Sequence, residues 1–279
     1  MFASDIMSVP VHVVAPDDTV AYARNLMVKH KISRLLIVNE NGLAGIVTKK
    51  DLAYRLRQGN ASWKRRPLSQ LRVSTIATEN LVVVSQDTPA IQIARIMIEK
   101  DISSVPIVDA GSVVGIVTKT DLMKSTLVRQ LSLPVEDVME DAATVSRYHS
   151  LAHVVSVMKE RHKKVLVLDN DGTPAGIITE TNLAFFDDEQ KMAGVGGRDV
   201  MIRRREKADG TSGPGQLAVA PVTAEDVMTA PVITCPPGTL LPEAIELMKR
   251  HHVNSLVVME NGTISGILKR DDIIKEVAK

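Results

Sequence analysis

The apolar positions at the start of the chain switch between two periods. Val11–Ala15 is a short apolar run that reads as a strand. Asp17, Asp18 and Thr19 are candidate N-caps for a helix on which Val20, Ala23, Leu26 and Met27 recur at helical spacing. Arg34–Val38 is a β-branched and Leu-rich run, Asn41-Gly42 is a hairpin signal, and Leu43–Val47 is the returning strand. Thr48 then opens a second helix through Leu52 to Leu56. The predicted order is strand, helix, strand, hairpin, strand, helix.

That unit recurs. GIVTKKDL from Gly45 is followed by GIVTKTDL from Gly115, GIITETNL from Gly176 and GILKRDDI from Gly266. A methionine near the end of a helical pattern precedes each of them: Met27, Met97, Met158 and Met248. The distance from it to the fourth residue of the segment is 21 in every copy. The hairpin signal returns as Ala110-Gly111, Asp171-Gly172 and Asn261-Gly262, because tight turns need positive φ. The repeats are bounded at 1–58, 71–127, 134–190 and 221–279. Between the last two, residues 191–220 contain GVGG and ADGTSGPGQ, the composition of a flexible linker or insertion. A unit of about 55 residues buries too little surface to be stable alone. Face-to-face pairing of sheets predicts an α/β chain of two modules, roughly 1–127 and 134–279.

Composition narrows the functional classes. The chain has 279 residues, with 34 Lys and Arg against 33 Asp and Glu, a net charge of +1 that argues against a polyanion-binding surface. Three Phe, three Tyr and one Trp make the core aliphatic and leave few platforms for stacking bases. Cys235 is the single cysteine, so an intramolecular disulfide and a Cys-pair zinc site are both excluded, which fits a reducing compartment. No run approaches the ~20 apolar residues of a membrane span, and the start MFASDIMSVPVHVV lacks a signal-peptide pattern. The expectation is a soluble cytoplasmic protein.

The Thr-x-x-Asp segments carry the candidate chemistry. Thr48 and Asp51, and likewise Thr118 and Asp121, fall on one face at the N-terminal end of a short helix. An ionised Asp only accepts hydrogen bonds and can take both hydroxyls of a ribose. The strand-to-helix junction exposes N–H groups that favour phosphate, and an apolar slot between sheets suits a purine. The same pattern is also a capping box, and a residue can cap a helix while turning an oxygen toward a ligand. The third copy has Thr179 with Asn182, which lacks the charge-assisted bond. The fourth keeps Asp272 but has Lys269 in place of Thr, and that ammonium is expected to pair with Asp272 and fill the site. Ligand is therefore expected in the first module before the second.

These segments, their hairpins and the openings DIMSVPV, DVMEDAATV and DVMTAPVI resemble the cystathionine-β-synthase (CBS) domain family. The resemblance covers nearly the whole chain outside the linkers. It implies four CBS-type β-α-β-β-α units paired into two Bateman modules, arranged as a disk. It also implies clefts that take AMP, ADP, ATP or S-adenosylmethionine as a regulatory ligand, with no cofactor required. Free-standing four-copy chains of the family look like regulatory subunits of energy-sensing kinases. By the same resemblance, Ile32, Ser33 and Arg34 lie where family members contact phosphate; Ser104 and Pro106 mark that place in the second copy, and Ser255 stands there in the fourth. Lys163 and Lys164 have no fixed place in the third copy, and Lys49, Lys50 and Lys119 are further candidate cations.

Other features read as structural. His149 and His153 are spaced for a shared metal but lack a third ligand. His251 and His252 suit a helix C-terminus. The basic runs Lys64–Arg66 (with Arg55, Arg57 and Arg72) and Arg203–Arg205 read as solvated linker, and Trp63 beside the first has no assigned role. The four recurrent methionines read as core, and Cys235 has no partners for nucleophilic catalysis. The chain has no P-loop, nucleophile elbow or metal motif, so a non-enzyme is expected. The expected function is a sensor that binds an adenosine-containing ligand and signals by a change in shape or assembly, as a homodimer or with a protein target. A ligand-free interaction scaffold is the alternative.

Overall fold

The structure is a computed structural model, which describes residues 1–52, 68–159, 164–186, 201–203, 216–218 and 222–279. In the first repeat β1 (Val13–Val14) runs parallel to β2 (Arg34–Asn39), and β2 pairs antiparallel with β3 (Gly42–Thr48). The helix Val20–Lys29 lies between β1 and β2 in sequence. Of its candidate caps, Thr19 does the work, its Oγ1 accepting the Tyr22 N–H at 3.1 Å. The helix buries Val20, Ala23 and Met27, the face that the spacing marked.

The other repeats follow the same plan. The second has the helix Ala90–Glu99, β4 (Ser104–Asp109) and β5 (Ser112–Thr118), with an isolated parallel bridge from Val84 to Ile107 in place of a first strand. The third has β6 (Thr144–Ser146), the helix Leu151–Lys159, β7 (Lys164–Leu168) and β8 (Pro174–Thr179). Within the segment read as linker, β9 (Met201–Arg203) and β10 (Gln216–Ala218) pair antiparallel. The fourth has β11 (Thr234–Cys235), the helix Leu241–Arg250, β12 (Ser255–Glu260) and β13 (Thr263–Lys269). The strand expected over Val11–Ala15 is shorter than its apolar run, because only Val13 and Val14 align with Leu36 and Ile37 of β2.

The hairpins differ in detail. Ala110-Gly111 and Asn261-Gly262 have positive φ at both positions and join strands through two-residue turns, as expected. In the first repeat Asn39 pairs with Gly42, so the turn is Glu40-Asn41. Gly42, at φ 103°, is the first residue of β3, and the turn expected at Asn41-Gly42 is displaced by one position. In the third repeat Leu168 pairs with Pro174, and the Asp171-Gly172 signal lies inside a longer loop.

The openings of the repeats are exchanged. Ser8 bridges Ile116 of the second repeat, and Thr78 of the second bridges Ile46 of the first. Glu140, from the opening of the third repeat, bridges Ile267 of the fourth, and Thr229, from the opening of the fourth, bridges Ile177 of the third. A motif glycine makes room for each opening. A Cβ on Gly115 would lie 2.4 Å from Met7 Sδ, and one on Gly176 2.5 Å from Met228 Sδ. On Gly266 it would lie 2.8 Å from the Glu140 carbonyl oxygen, and on Gly45 3.0 Å from that of Thr78.

The chain divides into two compact units, Met1–Ala142 with Val232–Lys279, and Ala143–Pro231. In the first unit, Ile93, Met97 and Leu122 of the second repeat share a core with Leu241, Met248, Ile273 and Ile274 of the fourth. Leu36, Ile46 and Ile116 join the sheets of the first and second repeats face to face, with Val11, Leu43, Leu81 and Val113 partly buried around them. In the second unit Val145, Val154, Val165, Val167 and Ile178 pack with Ala224 and Val227. Each fully buried Val, Leu or Ile contributes about 1.5–3 kcal/mol, so these aliphatic layers account for a core with almost no aromatic rings. Among the described residues no helix is long and apolar enough to cross a membrane.

Candidate ligand crevices at the motif helices

Every motif helix begins on a strand whose last residue faces the start of its hairpin partner. Arg34 lies opposite Thr48, Ser104 opposite Thr118, Lys164 opposite Thr179, and Ser255 opposite Lys269. The register thus gives Lys164 the place in the third repeat that Arg34 has in the first.

The capping box forms in the first three copies. The Thr48 N–H and hydroxyl donate to Asp51 Oδ2 at 2.7 and 2.6 Å, and the Asp51 N–H returns to Thr48 Oγ1 at 3.3 Å. Thr118 and Asp121 repeat this at 2.8, 2.6 and 3.3 Å. Thr179 and Asn182 do so through the amide oxygen at 3.0, 2.6 and 3.3 Å. The cap consumes one carboxylate oxygen. What the other oxygen meets separates the repeats.

In the second and third repeats the side chain's other polar atom, a carboxylate oxygen or an amide nitrogen, meets the exchanged opening. Ser8 Oγ donates to Asp121 Oδ1 at 3.1 Å, and Asn182 Nδ2 donates to Thr229 Oγ1 at 2.8 Å. In the first repeat the corresponding opening residue is Thr78. Among the described residues no donor reaches Asp51 Oδ1.

The fourth copy is filled by its own side chains. The Lys269 N–H donates to Asp272 Oδ2 at 2.8 Å, so the helix is capped without a threonine. The Lys269 ammonium, expected on Asp272, instead pairs with Glu140; the two Asp272 oxygens already accept from the Lys269 N–H and from Lys275. Lys275 completes the cluster, donating to Glu140 Oε1 at 2.5 Å and to Asp272 Oδ1 at 3.3 Å. Asp272 is 1% exposed. Burial first, and the adjacent Glu140 carboxylate second, push its carboxyl up to about 6. Burial also works to raise Glu140, but the ammonium groups of Lys269 and Lys275 outweigh it and hold that carboxyl at about 2.

The candidate phosphate contacts differ in what holds them. Lys119 is buried and donates to Asp271 Oδ1 at 2.9 Å, which commits it to an ion pair with the fourth motif helix and removes it from the free candidates. Ser104 and Ser255 are buried within their strands, as is Pro106, whose carbonyl accepts the Val84 N–H at 3.2 Å. Arg34 differs: its Nη1 is buried without a hydrogen-bond partner. Burial first, then the charge of Arg270, pull Arg34 down to about 10, with Asp121 acting in the opposite direction. Ile32 is partly buried, and Ser33 is exposed and uses its carbonyl to accept the Lys49 N–H at 2.9 Å.

Sequence reasoning missed Ser8, Thr78, Glu140 and Thr229, which meet the motif from another repeat. Their signal was a shared phase: each is the last residue of the parallel segments Asp5–Ser8, Thr75–Thr78, Asp137–Glu140 and Asp226–Thr229. The histidine pair resolves as structure, since His149 Nδ1 accepts the Ser146 N–H at 3.2 Å and its ring meets His153 edge to face at 4.4 Å. Among the described residues no group of three His, Cys, Asp or Glu is placed to hold a metal. Cys235 is buried, and burial raises its thiol. Arg55, Arg57, Trp63, Lys64–Arg66, Lys163, Arg204 and Arg205 lie outside the described residues. A surface groove along Thr239, Glu243, Glu246 and Leu247 is lined by no motif residue.

The CBS domain family matches residues 3–58, 73–127, 135–189 and 224–279. The chain belongs to the CBS domain family. A crystal structure of protein MJ1225 of Methanocaldococcus jannaschii, proposed as an archaeal homolog of g-AMPK, superposes with a TM-score of 0.75 at 20% identity, covering 99% of both chains. By sequence, MJ1225 is 24% identical over 95% of this chain and 94% of its own length. The uncharacterised protein MJ1404 of the same organism is 23% identical over 98% of this chain, which spans 61% of MJ1404. The 5'-AMP-activated protein kinase subunit gamma of Dictyostelium discoideum is 26% identical over 60% of this chain, which corresponds to 33% of that protein. The CBS α/β architecture expected from the repeats is the one observed.

Proposed function

We propose that this CBS protein is a regulatory sensor that binds an adenosine-containing ligand in the crevice of the first repeat. The observation that carries this reading is the division of labour on Asp51. Its Oδ2 closes the helix cap, and among the described residues its Oδ1 accepts nothing. A carboxylate oxygen held in that way is an acceptor for a ribose hydroxyl. Thr48 fixes the carboxylate, Arg34 opposite Thr48 offers a cation to phosphate, and the partly buried aliphatic rim of Leu43, Leu81 and Val11 offers a purine face. Similarity to a gamma subunit of 5'-AMP-activated protein kinase supports the regulatory reading.

The second crevice has the same capping box, but a ligand there displaces the Ser8 hydroxyl from Asp121. The third offers an amide in place of a carboxylate. The fourth is closed by Lys269, Glu140 and Lys275, and in that repeat the motif acts as a packing unit, as the scaffold alternative would have it. A ligand acts by binding one arrangement of the paired repeats more tightly than another, and a coupling of ~1–3 kcal/mol is typical of such switches.

The test is mass spectrometry of small molecules released from the purified full-length chain, followed by titration calorimetry with adenosine, AMP, ATP and S-adenosylmethionine. The expected result is an adenosine compound that co-purifies or binds with a Kd at or below about 100 μM, a binding free energy of more than about 5 kcal/mol. If no adenosine compound is released and none of the four gives heat at that level, the ligand-free scaffold takes its place.

A further inference from the structure

The fourth motif copy lacks the donor that steadies the carboxylate of its counterparts. In the first two copies a threonine hydroxyl donates to the capping aspartate at 2.6 Å, a bond that favours the ionised form. Lys269 replaces that threonine, and its ammonium turns to Glu140. Asp272 is left with the Lys269 N–H at 2.8 Å on Oδ2 and the Lys275 ammonium at 3.3 Å on Oδ1. Lys275 makes its shorter contact, 2.5 Å, with Glu140 Oε1. Glu140 thus takes the near contact of both ammonium groups, and the carboxylate that is 1% exposed takes the longer one.

The other charged groups of this helix are engaged elsewhere. Arg270 Nη1 donates to Thr120 Oγ1 at 2.9 Å, and Asp271 Oδ1 accepts from the buried Lys119 at 2.9 Å, both on the second motif helix. Further along, Glu276 pairs with Lys279 at 2.7 Å. Asp272 and Glu140 therefore share the Lys275 ammonium, and with both ionised two like charges lie side by side, one of them shut off from water. One proton taken from water removes that repulsion and gives Asp272 an O–H to donate to Glu140. The rise of the Asp272 carboxyl to about 6, through burial first and Glu140 second, agrees with this geometry. Glu140 is also the end of an exchanged opening. Its N–H donates to the Ile267 carbonyl at 3.1 Å, and its carbonyl accepts the Ile267 N–H at 2.9 Å.

We infer that the fourth repeat is a proton-binding site: Asp272 and Glu140 hold one proton between them in the crevice that their cluster closes, and that proton tightens the bridge from Glu140 to Ile267. As pH rises the proton returns to water, the two carboxylates repel, and the hold of β13 on the opening of the third repeat loosens. The copy that is closed to a nucleotide thereby responds to pH. The site uses no adenosine compound, so it stands apart from the reading of the first crevice.

The experiment uses the full-length chain and its Asp272→Asn and Glu140→Gln variants. Asp272→Asn keeps the helix cap, since an amide oxygen accepts the same backbone N–H in the third copy. Carbon-13 NMR of the aspartate carboxyls should show one group in the unmodified chain that titrates near pH 6 and is missing from Asp272→Asn. In Glu140→Gln both ammonium groups are free to turn to Asp272, so its midpoint should fall by about one pH unit or more. Amide hydrogen exchange reads the bridge. Relative to the unfolded chain at each pH, the Glu140 and Ile267 amides should be at least about threefold better protected near pH 5 than near pH 8, and Asp272→Asn should abolish the difference. If every aspartate titrates in the ordinary carboxylate range, or the midpoint is unmoved in Glu140→Gln, the shared proton is overturned. Protection that is equal at the two pH values, or a difference that persists in Asp272→Asn, overturns its hold on the bridge.

Discussion

Ser8 and Asp121 are 113 residues apart in the chain, and the hydroxyl of one donates to Oδ1 of the other at 3.1 Å. The contact joins the opening of the first repeat to the motif helix of the second. It ties up the oxygen that in Asp51 has no donor among the described residues. Two copies with the same four-residue signature therefore differ in what a ligand must displace.

Replacing each aspartate separates the crevices. Asp51→Ala and Asp121→Ala each remove a helix cap, and each should cost about 1 kcal/mol of stability in urea unfolding. Asp51→Ala should also weaken AMP by about tenfold or more, the scale of a lost charge-assisted bond, whereas Asp121→Ala should weaken it less. Equal losses of stability with affinity intact in both variants would reduce the motif to a cap.

The closed fourth crevice can be opened by design. Lys269→Thr with Glu140→Thr recreates the residues of the first copy, a threonine at the helix start and a threonine on the exchanged opening. Calorimetry of this double variant should show nucleotide stoichiometry raised by one. An unchanged stoichiometry, in a protein that melts cooperatively, would mean that something other than the ion pairs keeps ligand out.

The same cluster predicts a pH dependence of known sign. Asp272 titrates near 6 in the folded chain, above the ordinary carboxylate range, so the folded state holds its proton more tightly than the unfolded state does. Its contribution is most favourable below the unfolded value and declines as pH rises through about 6. Glu140, held at about 2, contributes above the ordinary Glu value and is lost only as pH falls toward 2. Between pH 8 and 5, the melting temperature of the unmodified chain should thus rise relative to that of Asp272→Asn. A difference that stays flat over this range would show that Asp272 is ionised throughout.

Alanine at the motif glycines should rank by what each new Cβ meets. Gly266→Ala drives into the carbonyl of Glu140 at 2.8 Å, a backbone atom that cannot turn aside. Gly115→Ala and Gly176→Ala meet the side chains of Met7 and Met228, which are flexible enough to repack in part. All three are destabilising, by about 1–3 kcal/mol, with Gly266→Ala at the upper end. Thermal unfolding of the three variants checks the order.

Much of this fold was legible because its information is local. The methionine at 21 residues before each motif marks the buried helix face, and Met27, Met97 and Met248 are at most 2% exposed. The strand pairs follow from β-branched runs on either side of a turn. Contacts made between repeats were not legible. The Lys269 ammonium was placed on Asp272, three residues away, but its partner Glu140 comes from 129 residues earlier. The displaced turn at Glu40-Asn41 was hidden because Asn41-Gly42 is itself a strong signal, and only the pairing of Asn39 with Gly42 fixes the frame. Arg270 stands at the motif position of Lys49 and Lys119, but its contact with Thr120 of the second repeat was not legible, because it joins two repeats 150 residues apart.

The exchanged openings make each repeat depend on another. A polypeptide holding just one repeat would leave its Met7-type side chain without a glycine to sit on and its own glycine uncovered, and two such molecules could cure both defects only by trading arms. With both partners on one polypeptide the trade is intramolecular, so it persists at any dilution and does not require the two copies to stay alike.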